Sequence, residues 1–481
     1  MGAHARFGPT EPSSSLTAAS SSLAEPGTFY LRSFGCQMND HDAERIAGLL
    51  TEMGWQERET PEEAAVLVFN TCSIRERADR RLAAHLAAAG RLKGQDPSRL
   101  VIVAGCLAQS RRERLWEDFP FVDVLVGPQS LHELPELLRR RQQEGRPVSA
   151  FQDFTTRWSA DLPRKRVPGP TAWVQIAAGC SNFCSYCIVP YVRGPEASRP
   201  ASEILREVAH LVEQGVREIV FLGQNVNAYG KEPGFAGHEN FAELLELTCG
   251  ISGVERIRFM TSHPKDVSSE LIRVMAQPNQ VCEHLHLPAQ SGSDAVLAAM
   301  RRGYSRKTYV DLVRRVREAI PEVAITTDLI VGFPGETEDD FAATLSLVEE
   351  CAFDGAFTFI YSPRPHTAAA KLPGRVPPEV ARARMERLVE VVQQVARQKN
   401  QALVGSMVEV MVERRSRQSK DEVMGRTRTY KPVDFVSKAK PGDLVLVELV
   451  EATSTSFRGR EVSVVGTSLS SASSARQERT C

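Results

Sequence analysis

From residue 28 onward, short apolar runs alternate with stretches whose apolar residues recur every three to four positions. The first set predicts strands at Phe29–Ser33, Ala65–Phe69, Leu100–Ala104 and Val122–Val126. Between them the 3.6-residue period predicts helices over Asn39–Met53, through Arg91, and around Ser110–Asp118. Strand–helix alternation at this spacing implies an α/β unit with a doubly wound parallel sheet.

The alternation pauses at LPRKRVPGP, Leu162 to Pro170, a Pro-rich basic linker. It resumes with strands at Trp173–Ala177, Glu218–Leu222, Arg256–Thr261, His284–Leu287, Ala324–Val331 and Gly355–Ile360. Helical patterns over Ala201–Gln214, Glu243–Cys249, Ser305–Ala319 and Thr337–Cys351 fall between them. Six βα units predict a partial (β/α)6 TIM-like barrel, closed by a long helix from Pro378 to Gln401. After Val404 the period becomes two, as in MVEVMVE and DLVLVELVEA, and predicts a small five-stranded β-barrel. The expected divisions are a tail at 1–26, a first domain at 27–150, a linker at 151–170, the barrel at 171–401, the β-module at 402–467 and a tail at 468–481.

Composition narrows the class. Apolar residues make up 42% of the chain and charged residues 25%, a globular profile. No run approaches the eighteen apolar residues of a membrane span, and residues 1–26 lack the apolar core of a secretion signal, so a cytoplasmic protein is expected. The net charge of −1 excludes a uniformly basic nucleic-acid binder, so any RNA contact must be local. Ten cysteines without a signal peptide read as metal or redox groups rather than disulfides.

The sharpest pattern is Cys180-x-x-x-Cys184-x-x-Cys187, in a loop after the first barrel strand. TIM-type barrels place their active sites at that end. Three thiolates are one too few for a closed zinc site. They suit a 4Fe–4S cluster with one iron left open, to which S-adenosylmethionine (SAM) can bind and be reductively cleaved to a radical. A degenerate zinc knuckle is the bland alternative.

Cys36, Cys72 and Cys106 each follow a predicted strand of the first sheet, 36 and 34 residues apart. Strand ends of a parallel sheet share one edge, so these thiols can converge on a second 4Fe–4S cluster. Three inert core cysteines are the competing reading. Cys249, Cys282, Cys351 and Cys481 are scattered and read as core or tail residues.

Polar and glycine motifs mark the other barrel strand ends. Gly223, Gln224, Ser291 and Asp328 are the candidate SAM contacts, although Ser291–Ser293 equally suits a helix cap. His263, His284 and His286 lack a carboxylate at ligand spacing and read as satisfied polar residues.

In the β-module, nine basic residues face four acidic ones between Glu413 and Lys440. Arg414, Arg415, Arg426, Arg428 and Lys431 are the candidate RNA contacts, with Tyr430 and Phe435 as stacking aromatics. A solvated loop is the alternative.

Together these motifs resemble the methylthiotransferase family of radical SAM enzymes, over about Thr28 to Gly466. GCQMN (Gly35–Asn39), NTCSIRE (Asn70–Glu76), AGC (Ala104–Cys106) and GCSNFCSYC (Gly179–Cys187) carry the resemblance. So do RGPEASRP (Arg193–Pro200), LGQNVNAYG (Leu222–Gly230), TSHPKD (Thr261–Asp266), LPAQSGSD (Leu287–Asp294), RRGYSR (Arg301–Arg306) and TTDLIVGFPGETEDDF (Thr326–Phe341). NTCSIRE and QSGSD are similar to the branch that modifies tRNA.

The resemblance implies two 4Fe–4S clusters: an auxiliary one on Cys36, Cys72 and Cys106, and one binding SAM on Cys180, Cys184 and Cys187. It implies methylthiolation at C2 of an N6-isopentenyladenosine next to the anticodon of tRNA. The implied partners are that anticodon stem-loop and an electron donor such as flavodoxin or ferredoxin, with the enzyme a monomer. The alternative target is a threonylcarbamoyl-modified tRNA adenosine or a ribosomal-protein aspartate.

The chain departs from the family pattern at Pro195, usually acidic, at His366, usually glycine, and at Ala369, often proline. Its last module lacks an Asn often seen there.

Overall fold

Parallel pairing begins at once, because the first apolar runs are bordered by helices that cover both faces of the sheet they form. The computed structural model describes residues 27–73, 76–151, 163–166, 168–235, 237–416, 419 and 421–466. Both expected tails, most of the linker, Arg417, Lys420 and Cys481 lie outside the described residues.

The first sheet contains β1 (Thr28–Phe34), β2 (Gln56–Glu57), β3 (Val66–Thr71), β4 (Leu100–Gly105), β5 (Val124–Val126) and β6 (Val148–Ala150). Its order is β2-β1-β3-β4-β5-β6, all parallel. The two edge strands are too short to leave a hydrophobic period and were not expected from the pattern. Helices α1 (Gln37–Glu52), α2 (Glu76–Gln95) and α3 (Cys106–Arg111) connect the central strands. The segment after β4 starts its helix four residues earlier than expected and is broken by a 3-10 turn at Arg112–Arg114.

The barrel has six parallel strands: β7 (Thr171–Gln175), β10 (Glu218–Leu222), β11 (Arg256–Phe259), β12 (His284–His286), β13 (Ala324–Val331) and β14 (Gly355–Ile360). They form two three-stranded sheets, β11-β10-β7 and β12-β13-β14, joined by one parallel bridge between Ile257 and Val281. A short ribbon of β8 (Ala177–Ala178) and β9 (Ala197–Ser198) brackets the cysteine loop.

Outward-facing Ile219, Phe221, Ile257 and Phe259 join helix residues such as Ile204, Leu244 and Leu271 in the main apolar core. The closing helix spans Pro378–Gln401 as expected.

The last module is a closed five-stranded barrel of β15 (Met407–Arg415), β16 (Glu422–Thr427), β17 (Pro432–Val436), β18 (Leu444–Ala452) and β19 (Phe457–Gly466). Its β16–β17 turn enters the large barrel. Arg256 and Arg258 point inward from β11 and are nearly fully buried. Arg258 is held by Glu218 at 2.7 Å and by the carbonyls of Thr427 and Arg428. Arg256 reaches the Arg426 carbonyl and Glu409. The Tyr430 ring lies between the Arg258 and Arg426 guanidiniums, 5.0 and 4.3 Å from its centroid. These contacts hold the charges of a buried arginine pair that would otherwise be costly.

Candidate active site

Two cysteine triads meet where the first sheet abuts the barrel. Register places Phe34, Thr71 and Gly105 side by side at the ends of β1, β3 and β4. Cys36, Cys72 and Cys106 follow within one or two residues, so they share one sheet edge. Two glycines allow the approach. A Cβ on Gly35 would lie 2.6 Å from the Cys72 Cβ, and one on Gly105 would lie 2.4 Å from Asn70 Oδ1. Cys72 and Cys106 are buried and Cys36 is half-buried. A hydrogen bond with Cys72 and the charge of Arg193 pull the Cys36 thiol down to about 6. Burial pushes Cys106 up, although Arg193 opposes it.

The second triad sits in the loop after β7. Gly179 turns the chain at φ +70, where a Cβ would lie 2.0 Å from the Pro195 carbonyl. Cys180 N then donates to the Gly194 carbonyl and Cys187 N to the Cys184 carbonyl. Ser185 pins the loop through Oγ to the Ala299 carbonyl at 2.7 Å. Burial raises Cys180 to about 11 and Cys187 to about 12. Such thiols ionise when a metal takes the proton's place.

A buried guanidinium serves each triad. Arg193 Nε donates to Cys106 Sγ at 3.2 Å, and Arg193 also pairs with buried Asp42 at 2.7 Å. Arg193 ends the short helix Val189–Arg193 that continues the second cysteine loop, so it ties the two triads together. Ile188 and Val192 pack on Cys106 from the same segment. Arg302 Nη1 donates to Cys184 Sγ at 3.3 Å. Both arginines stand in quoted sequence motifs, but nothing in the sequence marked them as thiol partners.

Among the described residues no three His, Cys, Asp or Glu side chains are placed to share one metal ion. An iron–sulfur cluster asks something different of its ligands, since its thiolates each bind a different iron. The soft, anionic donor set with cationic backing fits two such clusters.

The barrel rim offers unsatisfied polar groups to a ligand. Gln175 Oε1, Asn225 Oδ1 and Ser262 Oγ, at the ends of β7, β10 and β11, are buried without a hydrogen-bond partner. Thr261 and Gln290 on the same rim hold left-handed backbone, at φ 71 and 70. Strain of this kind concentrates at binding sites. Orphaned acceptors suit the ammonium and hydroxyl groups of SAM.

Of the expected SAM contacts, Gly223 is buried and Gln224 half-buried at this rim. Asp328 faces the lumen, 3.4 Å from His286 Nε2. Ser291 turns away: its hydroxyl sits 3.3 Å from Thr344 and accepts from Ser293 N, so it fastens the loop to the helix Glu338–Cys351. In this structure Ser291 holds its own loop in place. His286 does have a carboxylate neighbour after all, because β13 lies beside β12. His284 Nε2 and His286 Nδ1 both meet Thr326 Oγ1, but His284 Nδ1 is buried without a partner, so His284 is only half satisfied.

The RNA-contact expectation divides. Arg428 is forked onto Glu283 and two barrel carbonyls. Lys431 is buried against Asp354 and Asn400, and Arg426 pairs with Glu413. Phe435 is in the module's core, and Tyr430 is inside the large barrel. These five are spent on packing the module against its own chain, which sequence spacing could not show. Arg414 and Arg415 remain exposed.

A radical SAM enzyme is the class this fold and rim define. Residues 174–348 match the radical SAM superfamily, residues 28–127 an uncharacterized protein family (UPF0004) and residues 401–462 the TRAM domain. As a radical SAM protein the chain uses SAM and a 4Fe–4S cluster. It is 43% identical to the tRNA-2-methylthio-N(6)-dimethylallyladenosine synthase of Clostridium botulinum (strain Hall), over 91% of this chain and 97% of that one. Its identity to the same enzyme of Clostridium novyi is 46%, over 90% and 96%, and of Moorella thermoacetica 44%, over 90% and 98%. The chain belongs to the tRNA-2-methylthio-N(6)-dimethylallyladenosine synthase family.

Among solved structures, the radical SAM methyltransferase TsrM of Kitasatospora setae shares the fold, with a TM-score of 0.52 at 15% identity, covering 72% of this chain and 75% of that one. No helix of the described residues is long and apolar enough to cross a membrane.

Proposed function

We propose that this protein transfers a methylthio group to C2 of N6-isopentenyladenosine next to the anticodon of a cytoplasmic tRNA. The observation that carries the reading is the meeting of two thiol triads at one inter-domain edge, bridged by Arg193.

Cys180, Cys184 and Cys187 would hold the cluster that faces the barrel rim, and Cys36, Cys72 and Cys106 the auxiliary one. When bound, the clusters and SAM supply one-electron reduction, a carbon radical and sulfur for an unactivated aromatic C–H. The protein's part is to position and shield. Gly35, Gly105 and Gly179 let the chain close on each triad. Arg193 and Arg302 place positive charge beside the thiolates. Gln175, Asn225 and Ser262 offer acceptors to SAM from three adjoining strand ends.

The target adenine must leave its stack to reach the rim, which a single-stranded loop makes easier. Arg414 and Arg415, with exposed Lys438 and Lys440, provide phosphate contacts on the outer side of the small barrel. The enzyme works as a monomer with a flavodoxin- or ferredoxin-type electron donor.

The test is iron and labile sulfide on anaerobically reconstituted protein, alongside product mass on an isopentenylated stem-loop. About eight irons in wild type and about four after Cys36→Ala, Cys72→Ala and Cys106→Ala together fit thiolate ligation of two clusters. A 2-methylthio product from wild type only completes the case. About four irons in both proteins would remove the auxiliary cluster and the sulfur chemistry with it.

A further inference from the structure

Three aromatic rings stand in a row on the outside of the second cysteine loop. Phe183 lies between Cys180 and Cys184 and is 49% exposed. Its ring meets Tyr191, itself 39% exposed, edge-on at 6.0 Å between centroids. Tyr191 in turn faces His366 at 6.3 Å, with the rings tilted by 36°. His366 is exposed as well, in the loop after β14.

Two of these residues occupy left-handed backbone: Phe183 at φ 47 and His366 at φ 66. Phe183 is an outlier in that region, where histidine is more often found and glycine would sit without strain. The return is not core burial, because the rings face solvent. Strain held without burial points to function.

The row's flanks add a cavity. Ile188, before the helix of Tyr191, and Arg364 and Pro365, before His366, line a space of about 240 Å³. Ser73, Leu107 and Arg111 are among the first-domain residues that line its other side. Ser73 and Leu107 directly follow Cys72 and Cys106, and Ile188 follows Cys187, so the cavity adjoins both triads.

Resting on the proposed tRNA substrate, we infer that Phe183, Tyr191 and His366 form a stacking platform for unpaired nucleobases of the RNA loop. The platform would hold the bases flanking the target at the edge of the cysteine loop. Aromatic faces accept any base, so the contact grips single-stranded RNA without reading its sequence. Each ring sits on a segment fixed to the site, so stacked bases are registered to the reacting position rather than merely retained.

The experiment measures binding of an isopentenylated anticodon stem-loop to full-length, anaerobically reconstituted protein by fluorescence anisotropy at several salt concentrations. A blunt RNA duplex without a loop serves as the control. The variants are Phe183→Leu/Tyr191→Leu/His366→Gly together and Tyr191→Leu/His366→Gly alone. The second pair lies outside the cysteine loop, so it stands if the first variant loses iron.

Stem-loop affinity is expected to fall about tenfold in the pair and further in the triple variant, as loss of base stacking requires. The salt slope and duplex affinity should stay unchanged, since no phosphate contact is removed. His366→Gly alone should melt at the same temperature as wild type or higher. Unchanged stem-loop affinity in the iron-loaded pair, or an equal loss for the duplex, would overturn the platform while leaving the tRNA reading intact. Wild type that ignores the stem-loop altogether would sink both.

Discussion

Arg302 directs Nη1 at Cys184 Sγ from 3.3 Å, and no carboxylate among the described residues pairs with it. Its other partners are the Tyr304 and Tyr186 hydroxyls and the Pro288 carbonyl. Arg302 as a whole is 5% exposed. A buried cation of this kind needs an anion, and the thiolate set of a bound cluster is the one at hand. Arg193 differs, because Asp42 already balances its charge.

Removing the two arginines should therefore have unequal effects. Arg302→Gln should lower the midpoint potential of the cluster on Cys180, Cys184 and Cys187, because an anionic centre loses its nearest positive charge. Arg193→Gln should leave a buried Asp42 and mainly reduce stability. Redox titration followed by electron paramagnetic resonance separates the two. Equal midpoints in wild type and Arg302→Gln would show that the cation acts only in folding.

Gly179 offers a test of loop geometry. With φ +70 and a hypothetical Cβ 2.0 Å from the Pro195 carbonyl, Gly179→Ala must displace backbone. The Cys180–Gly194 hydrogen bond closes the loop at this point. We expect loss of the SAM-site cluster with the auxiliary cluster retained, seen as about half the wild-type iron. Gly145→Ala, also at positive φ but with open space around it, should keep full iron.

How far the sequence spoke depends on the kind of signal. Glu218–Leu222, Ala324–Val331 and Gly355–Ile360 are legible to the residue, because each is rich in β-branched and aromatic residues and bounded by helical patterns. This holds even where Thr326, Thr327 and Asp328 interrupt the run or where, as in the last strand, the side chains are only partly buried. The two-residue β2 and the three-residue β6 leave no such pattern. Cys36, Cys72 and Cys106 could be grouped from their strand-end positions alone. Gln175 and Ser262 could not be singled out, since an orphaned oxygen is visible only once its surroundings are built. Arg428 and Lys431 read as RNA contacts because charge density in sequence does not reveal an acidic partner such as Glu283 or Asp354 on another domain.

That reassignment predicts a division among the basic residues of the small barrel. Lys431→Met removes hydrogen bonds to Asp354 and Asn400 and should cost about 2 kcal/mol, the range for charge-assisted bonds in buried sites. Denaturant unfolding and protease sensitivity near Leu403–Ser406 would report it. Arg414→Gln and Arg415→Gln should leave stability unchanged. Each should instead reduce the salt slope of RNA binding by about 0.7 to 0.9. A reversed pattern would return Lys431 to the RNA surface.

Acid sensitivity follows from the buried histidines. Burial holds His284 well below its ordinary value, with Arg258 and His286 adding to the effect. Burial and the charges of Arg302 and Lys265 take His263 down to about 2, and burial with four nearby arginines lowers His41. Each is neutral in the folded protein but gains a proton on unfolding below about pH 6.5. Their contribution to stability is therefore complete above pH 6.5 and declines as pH falls from there toward the folded values. The decline is about 1.4 kcal/mol per pH unit for each histidine. Glu44 and Glu196, raised by burial to about 7, act in the opposite sense: the folded state holds their protons below that pH, so they gain stability as pH falls from 7 to about 4.3. Because the two groups offset each other, the wild-type profile alone is uninformative, and a variant difference is needed. His284→Gln keeps a polar atom near Thr326 but cannot titrate. Its stability deficit, measured by denaturant unfolding at pH 7.5, 6.5 and 5.5, should shrink by about 1 kcal/mol between the last two values, because the unfolded imidazole is half protonated at the first of them. A deficit constant across that range would mean that His284 carries a proton in the folded barrel.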